Sequence, residues 1–133
     1  MTDILALVLT LLGTPSETCN ATVFGGAADR HRGGPSRCLT PPRRIRADDH
    51  GIAHRTLPCG SWVLVTSRRT GRSVLTRVID HGPYGAVDAT GEWVLKRRRS
   101  DPGKWKGCAD LTYPVGEMLG IGGRGQVTIR RLK

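Results

Sequence analysis

The chain has 133 residues, with 18 Gly and 8 Pro but only one Phe, two Tyr and three Trp. This length fits one domain with a modest core, and the turn-rich composition favours many short strands over long helices. The formal net charge of +10 at pH 7 predicts a polyanionic partner, such as the bacterial cell wall, anionic lipid or nucleic acid, unless the cations only keep a small domain soluble. The sequence has no P-loop, no GxGxxG motif after a strand and no HExxH, so phosphate-transfer, dinucleotide-dependent and zinc-protease functions lose their main support.

The N-terminal part of the chain is apolar. Its run of apolar residues, 4–12, is too short to span a bilayer. The start carries Asp3 and no Lys or Arg, unlike the basic start of a signal peptide. We expect residues 1–18 to form a segment that docks on the domain or on a partner, such as another virion or envelope protein, with a cleaved signal as the alternative. Residues 19–133 are then the folded domain.

Several segments in the first two thirds of the chain have clear local patterns. Residues 21–24 alternate well enough to predict a short strand, and residues 27–50 are rich in Arg, Pro and Gly, which predicts a long surface loop. The runs 62–66 and 73–79 are rich in β-branched residues and are joined by a polar, glycine-containing link. These two runs predict a β-hairpin.

Residues 85–107 are predicted to form a second irregular insertion. It holds Trp93 and Trp105 among many Lys and Arg residues. Aromatic rings among cations can stack on sugars or bases; the alternative is that both rings fold the insertion onto the domain.

A helical pattern follows at residues 111–120, where Val115, Met118 and Leu119 are predicted to share one buried face. A glycine ends this pattern. The last predicted strand is 126–132, with its apolar side chains facing inward. The chain is therefore expected to be mainly β, with little helix.

A histidine and an aspartate bracket the predicted hairpin. His54 comes just before the Leu-Pro-Cys-Gly turn that leads into the first strand, and Asp80 stands where the second strand stops against Gly82 and Pro83. Two titratable side chains at the two ends of one hairpin indicate a functional site.

Taken in order, these pieces resemble the RlpA-like double-psi β-barrel family, which includes septal lytic transglycosylases and, more distantly, expansins. The first matching motifs are Ala-Thr-Val-Phe-Gly at 21–25, Ala-His-Arg-Thr-Leu-Pro-Cys-Gly at 53–60 and Gly-Arg-Ser-Val at 71–74. The next are Arg-Val-Ile-Asp-His-Gly-Pro-Tyr at 77–84, Asp-Leu-Thr at 110–112, like the aspartate-leucine-serine helix start of the family, and Leu-Gly-Ile at 119–121. Two large loops separate the matched pieces.

The resemblance implies a six-stranded double-psi β-barrel with one or two short helices, long basic loops and a groove across one face. In catalytic members the aspartate of the Asp-x-Gly-Pro motif is the acid and base of glycan cleavage, and the histidine of the Ala-His-x-Thr-Leu-Pro motif lies beside it. Carried over, these catalytic residues are Asp80 and His54. Tyr84, Arg77 and Trp62 are expected to bind substrate, and the alternative for Tyr84 and Trp62 is a place in the core.

Two further positions, Asp110 and Arg43, bear on which acidic residues the expected groove contains. Asp110, at the expected helix start, is another substrate-binding candidate and the candidate second carboxylate of an inverting hydrolase, which needs two carboxylates about 6.5 to 9.5 Å apart. One position departs from the family. Active members tend to carry a glutamate in the loop before the histidine, and this chain has Arg43 there, with Asp48 and Asp49 the nearest acids.

The chain has four cysteines, Cys19, Cys38, Cys59 and Cys108, with no C-x-x-C pair. This spacing does not fit a structural zinc site, and we expect no metal. Two disulfides fit better, in one of three pairings, and indicate an oxidising compartment. We expect Cys38 with Cys59 and Cys19 with Cys108, because each pair would tie a variable loop to the end of a barrel strand; four reduced, buried thiols are the alternative.

The predicted function is cleavage of peptidoglycan glycan strands by a lytic transglycosylase that needs no cofactor. Its carboxyl group protonates the bridging oxygen and then takes the proton from the sugar's own 6-hydroxyl, which closes an anhydro ring without water; a desolvated groove favours the protonated form of Asp80. The alternative is a non-catalytic wall-binding or structural barrel in a larger assembly such as a phage tail tip. The net positive charge would suit nucleic-acid binding, but the sequence contains no nucleic-acid recognition module. The expected location is extracytoplasmic, either secreted or periplasmic or in a virion, without a transmembrane span.

Overall fold

The computed structural model describes residues 16–24, 35–81, 85–87, 93–95 and 107–132. These ranges hold eight strands and one helix. The strands are β1 (Ser16–Phe24), β2 (Ile52–His54), β3 (Trp62–Ser67), β4 (Ser73–Asp80), β5 (Gly85–Val87), β6 (Trp93–Leu95), β7 (Ala109–Thr112) and β8 (Arg124–Arg131), and the helix, α1 (Tyr113–Leu119), lies between β7 and β8.

Six of the strands close into a barrel, in the order β1, β7, β2, β4, β3, β8. Strand β1 runs parallel to β7 and β2 runs parallel to β4, while the other four neighbouring pairs are antiparallel. Closure pairs every barrel strand on both sides and so removes exposed sheet edges. The mainly β fold with a six-stranded barrel and a short helix, predicted from the sequence, is confirmed.

Alternation along the strands builds the core. In β4 every second side chain from Val74 to Val78 is buried and those between are exposed, as expected for a strand with one face toward a core. Strands β3 and β8 follow the same pattern, so the last strand faces inward as predicted. The apolar side chains that fill the core are Ala21, Ile52, Val63, Val65, Val74, Val78, Cys108, Ala109, Leu111, Val115, Leu119, Ile121, Val127 and Ile129.

The helix packs against the barrel through a narrow face. Val115 and Leu119 are fully buried, but Met118, predicted to share their face, is 54% exposed. The third member of the buried face is Gly116, where an added Cβ would come within 2.8 Å of the Val23 side chain. The helix therefore lies too close to β1 for a larger residue on that face, and Met118 turns to solvent. Among the described residues, no helix is long and apolar enough to cross a membrane.

Part of the second insertion is regular. The sequence predicted residues 85–107 to be irregular, but β5 and β6 form a small antiparallel sheet within it, with Ala86 opposite Val94. The correction has a simple cause: each strand has three residues, too few to show an alternating pattern. The basic cluster 96–99, Trp105 and the apolar run near the N-terminus lie outside the described residues.

Two disulfides connect loops to the barrel. Cys19 of β1 is bonded to Cys108, with 5.9 Å between their Cα atoms, and Cys38 is bonded to Cys59, with 5.0 Å. These are the two pairs expected from the sequence. The first joins the two parallel strands β1 and β7 at one end of the barrel, and the second anchors the loop before β2 next to the start of β3.

The predicted boundary between residues 18 and 19 falls inside β1, which begins at Ser16. The barrel thus takes in the last three residues assigned to the apolar segment. The remainder of that segment lies outside the described residues, and its docking role stays a prediction.

Candidate active site

Four neighbouring strands place one small or polar residue each in a single row. Thr22 of β1 pairs with Asp110 of β7, Asp110 pairs with Ala53 of β2, and Ala53 pairs with Asp80 of β4. Residues that pair directly across strands face the same side of a sheet. Neighbouring strands lie about 4.8 Å apart, so the backbones of Asp80 and Asp110 are about 10 Å apart. Ala53 is the residue of the row that lies between the two aspartates.

A β-bulge brings Asp80 into this row. Ile52 pairs with Val78, but the next residue, Ala53, pairs with Asp80, so Ile79 is the extra residue on β4. Bulges of this kind re-aim a side chain and recur beside active sites. Asp80 is half-buried, and no other residue in the described ranges forms a hydrogen bond or ion pair with its carboxylate.

Asp110 lies on β7 and not at the helix start. The helix begins three residues later, at Tyr113, with Thr112 in the N-cap position. The Thr22 hydroxyl donates a hydrogen bond to the Asp110 carboxylate, while the Thr112 hydroxyl accepts one from the Gly51 N–H at 3.2 Å. The sequence could not separate the four residues of β7 from the helical pattern that follows them. The hydrogen bond from Thr22 therefore holds the Asp110 carboxylate in place on β7.

His54 follows Ala53 directly and is almost completely buried, at 1% exposure. Its Nδ1 accepts hydrogen bonds from the backbone N–H groups of Thr56 and Leu57 at 3.1 and 3.0 Å. Since Nδ1 accepts, the proton sits on Nε2, which donates to the Glu17 carboxylate at 3.1 Å. Both ring nitrogens are therefore engaged, and in the described part of the chain no hydrogen bond joins His54 to Asp80.

Glu17 is the site residue that sequence reasoning missed. Its carboxylate also accepts a hydrogen bond from the Arg55 guanidinium at 2.8 Å, and its side chain is 33% exposed. Burial lowers the pKa of His54, and the Glu17 charge opposes this only in part, so the imidazole is neutral. The sequence does contain a signal for Glu17. The alternation of inward and outward residues in β1, extended back from Ala21 through Cys19, places Glu17 on the inward side.

Trp62 and Arg77 lie together on the outer face of the barrel. They pair across β3 and β4, and the guanidinium carbon of Arg77 is 5.1 Å from the centroid of the Trp62 ring. This is a cation–π contact, and it leaves the Trp62 side chain 48% exposed. Arg77 precedes Asp80 on β4. Tyr84, the other expected substrate-binding residue, lies outside the described residues.

No profile of a known protein family matches the chain, but individual proteins do. The endolytic peptidoglycan transglycosylase RlpA of Neisseria meningitidis is 38% identical over 69 residues, which are 52% of this chain and 26% of that protein. A probable endolytic peptidoglycan transglycosylase RlpA of Nostoc sp. is 39% identical over 61 residues, 46% of this chain and 16% of that protein. A third protein of that name, from Synechocystis sp., is 56% identical over 32 residues, 24% and 10% of the two chains.

The chain carries an RlpA-like barrel. It covers about a quarter or less of the length of these relatives, so the likeness extends to only a small part of each of them. The names of the relatives refer to peptidoglycan and give no support to the virion alternative or to a nucleic-acid partner.

Arg43, expected from the sequence to replace a glutamate of active family members, is engaged within its own loop of the RlpA-like barrel. Its guanidinium donates two hydrogen bonds of 2.8 Å to the Asp49 carboxylate, and the Arg46 N–H donates a third at 2.6 Å. The bond from Arg43 is the main cause of a lowered pKa of Asp49. Asp48, the other nearby acid, is exposed. Arg43 thus holds the loop before β2 together.

Two groups of potential metal ligands occur in the described residues of the RlpA-like barrel. One joins Cys38, Cys59 and His81, and the other joins Glu17, Cys19 and Cys108. In each group the two cysteines are bonded to each other. A cysteine binds a metal as a thiolate, so neither group offers more than one ligand while its disulfide is intact.

Proposed function

We propose that this barrel cleaves the glycan strands of peptidoglycan as a lytic transglycosylase, with Asp80 as its single general acid and base. The observation that carries the proposal is the position of Asp80, set by a β-bulge at the end of β4 into a row with Asp110 and Thr22. The relatives named as peptidoglycan transglycosylases supply the substrate class.

One carboxyl group is enough for this reaction. Asp80 in its protonated form gives its proton to the bridging oxygen as the bond from that oxygen to the anomeric carbon breaks. The resulting carboxylate takes the proton from the 6-hydroxyl of the same sugar, whose oxygen bonds to the anomeric carbon and closes an anhydro ring. Asp80 ends the cycle protonated, and no water is consumed.

Asp110 supports the transition state. Positive charge develops at the anomeric carbon as the glycosidic bond breaks. A carboxylate on the other side of Ala53, held in place by the Thr22 hydroxyl, stabilises that charge without having to move during the reaction. Asp110 is therefore an electrostatic partner of Asp80.

His54 acts as a positioning residue. Its ring is buried and both nitrogens are engaged, so it fixes the end of β2 and the backbone of residues 55–57. That backbone follows Ala53, the residue between the two aspartates. His54 therefore keeps the row in register and does not itself transfer a proton to substrate.

The proposed location is outside the cytoplasm. Two disulfides are typical of proteins that fold in an oxidising compartment, and both pairs are formed here. Peptidoglycan lies in the same extracytoplasmic space. The net charge of +10 suits a substrate that carries carboxylates.

The test is the release of 1,6-anhydromuramyl ends from purified peptidoglycan, measured by mass spectrometry for wild type and for Asp80→Asn. The amide keeps the shape of the side chain but can neither give nor take the proton. We expect the rate to fall by at least about 100-fold, the usual contribution of a general acid and base.

The matched control is Asp48→Asn, which makes the same chemical change at an exposed aspartate of the loop before β2. It should keep the wild-type rate. An Asp80→Asn variant as fast as wild type would remove Asp80 from the mechanism. Binding to peptidoglycan without any anhydro ends would establish a non-catalytic wall-binding barrel instead.

A further inference from the structure

A cavity of about 300 Å³ lies beside β4, on the outer side of the barrel. The loop before β2 forms one wall and the residues of β4 that precede Asp80 form the other. Its lining residues include Cys38, Leu39, Asp49, Gly60, Arg77 and Ile79. The wall therefore mixes apolar side chains with a few polar ones, as small-molecule binding sites do.

Arg77 is the cation of this cavity. Its guanidinium carbon lies over the Trp62 ring, 5.1 Å from the centroid, and one guanidinium nitrogen lies beside Gly60, where an added Cβ would come within 3.2 Å of it. Gly60 also has a φ of +81°, so a larger residue is disfavoured there on two grounds. A guanidinium held over an aromatic ring retains N–H groups that can bind a carboxylate through two parallel bonds.

The one acidic residue of the cavity wall does not neutralise Arg77. The Asp49 carboxylate is already bound by Arg43 and by the Arg46 N–H. The ion pairs of the described residues join Arg43 to Asp49, and Glu17 to His54 and Arg55. In the described part of the chain, no carboxylate is therefore paired with Arg77.

We infer that this cavity is a carboxylate subsite, in which Arg77 binds an acidic group on the sugar next to the bond that Asp80 cleaves. The inference rests on the proposed function. Because Ile79 is the extra residue of the bulge, Arg77 and Asp80 are two register positions apart on β4, or about 7 Å along the strand, a spacing that suits neighbouring positions on one glycan strand. Peptidoglycan offers carboxylates from two sources, the lactyl group of a muramic acid without its peptide and the acidic residues of the stem peptide.

The experiment measures binding, so it does not depend on turnover. Short glycan strands of equal length are titrated into the protein by calorimetry in three forms: strands freed of peptide, strands that keep the peptide, and peptide-free strands whose lactyl carboxyl group has been reduced to an alcohol. Wild type should bind one of the carboxylate-bearing forms at least about tenfold more tightly than the reduced form, because a bidentate Arg–carboxylate pair is among the stronger polar contacts.

The deciding variant is Arg77→Gln, which should lose that preference and bind all three strands alike, while Arg77→Lys should keep a smaller part of it. The matched control is Arg72→Gln, the same charge change at an exposed arginine at the other end of β4. It should retain the wild-type preference. Near-ultraviolet circular dichroism and thermal unfolding verify that each variant is folded.

The outcomes of these experiments distinguish the carboxylate subsite from the proposed cleavage reaction. A preference for peptide-free strands identifies the lactyl carboxylate as the ligand, and a preference for peptide-bearing strands identifies the stem peptide. If wild type binds the reduced strand as tightly as the others, or if Arg77→Gln keeps the preference, the subsite is refuted even when anhydro ends are released. Absence of anhydro ends refutes the proposed reaction and leaves the binding result to stand by itself.

Discussion

Burial limits what the imidazole of His54 can do. Two backbone N–H groups occupy Nδ1, and Glu17 accepts the proton on Nε2. Burial, assisted by the charges of Arg55 and His81, lowers the pKa of His54, although Glu17 opposes the shift. These contacts support the proposed positioning role of His54, and Glu17 supplies the hydrogen-bond acceptor for its Nε2 proton.

The lowered pKa has a consequence for stability. As the pH falls below about 6.5, the ordinary pKa of histidine, the unfolded chain takes up a proton that the folded barrel does not. The stabilisation due to neutral His54 is fully present above that pH and is lost as the pH falls toward the folded-state pKa. The free energy of unfolding should therefore decline on mild acidification.

Glu17→Gln tests this arrangement at the level of one side chain. The substitution removes the charge that raises the pKa of His54, so we expect the titration midpoint of His54 to move to lower pH than in wild type. Nitrogen-15 NMR of the imidazole measures the midpoint and also shows which nitrogen carries the proton.

Glu117→Gln is the matched control for that titration, since Glu117 is an exposed glutamate on α1 and should leave the midpoint unchanged. A midpoint in Glu17→Gln equal to the wild-type value would show that Glu17 does not act on His54. A proton on Nδ1 at neutral pH would contradict the hydrogen bonds described above.

At the scale of elements, the sequence predicted those whose local pattern is strong. The hairpin of β3 and β4 has two β-branched runs and a glycine-containing turn, and its bounds were close to those observed. Strands β2 and β7 were missed because they have three and four residues and β7 leads directly into α1. Short strands of this kind are specified by their neighbours in the barrel, and not by their own periodicity.

The disulfides allow a prediction at this scale. Cys19 and Cys108 are 89 residues apart and Cys38 and Cys59 are 21 apart, and the entropy that a cross-link removes from the unfolded chain grows with the length of the closed loop. We expect Cys19→Ala with Cys108→Ala to lower the free energy of unfolding by about 1 kcal/mol more than Cys38→Ala with Cys59→Ala. Urea unfolding of the two double variants measures the difference.

Wild type with both bonds intact is the reference for these two variants. If the Cys38 and Cys59 variant loses as much stability as the other, or more, then the attachment of the loop before β2 outweighs loop length. That result would assign the larger structural role to the loop held by Arg43 and Asp49.

At the scale of the whole molecule, the strand order of the barrel assembles the candidate site. Thr22, Ala53, Asp80 and Asp110 come from four strands that are distant in sequence, and they meet because β1, β7, β2 and β4 are neighbours in the barrel. The sequence could single out Asp80 and Asp110 through their motifs. It could not predict the bulge that aligns them or the contact from Glu17 to His54, because register between distant strands is not encoded in any one segment.

The most direct test of the central claim is digestion of purified peptidoglycan in water labelled with oxygen-18, followed by mass spectrometry of the new chain ends. Because the sugar's own 6-hydroxyl closes the ring in the proposed reaction, the new ends should be anhydro sugars that contain no heavy oxygen. New reducing ends that carry oxygen-18 would show that water attacks the anomeric carbon, and would contradict the assignment of Asp80 as the single acid and base of a transglycosylase.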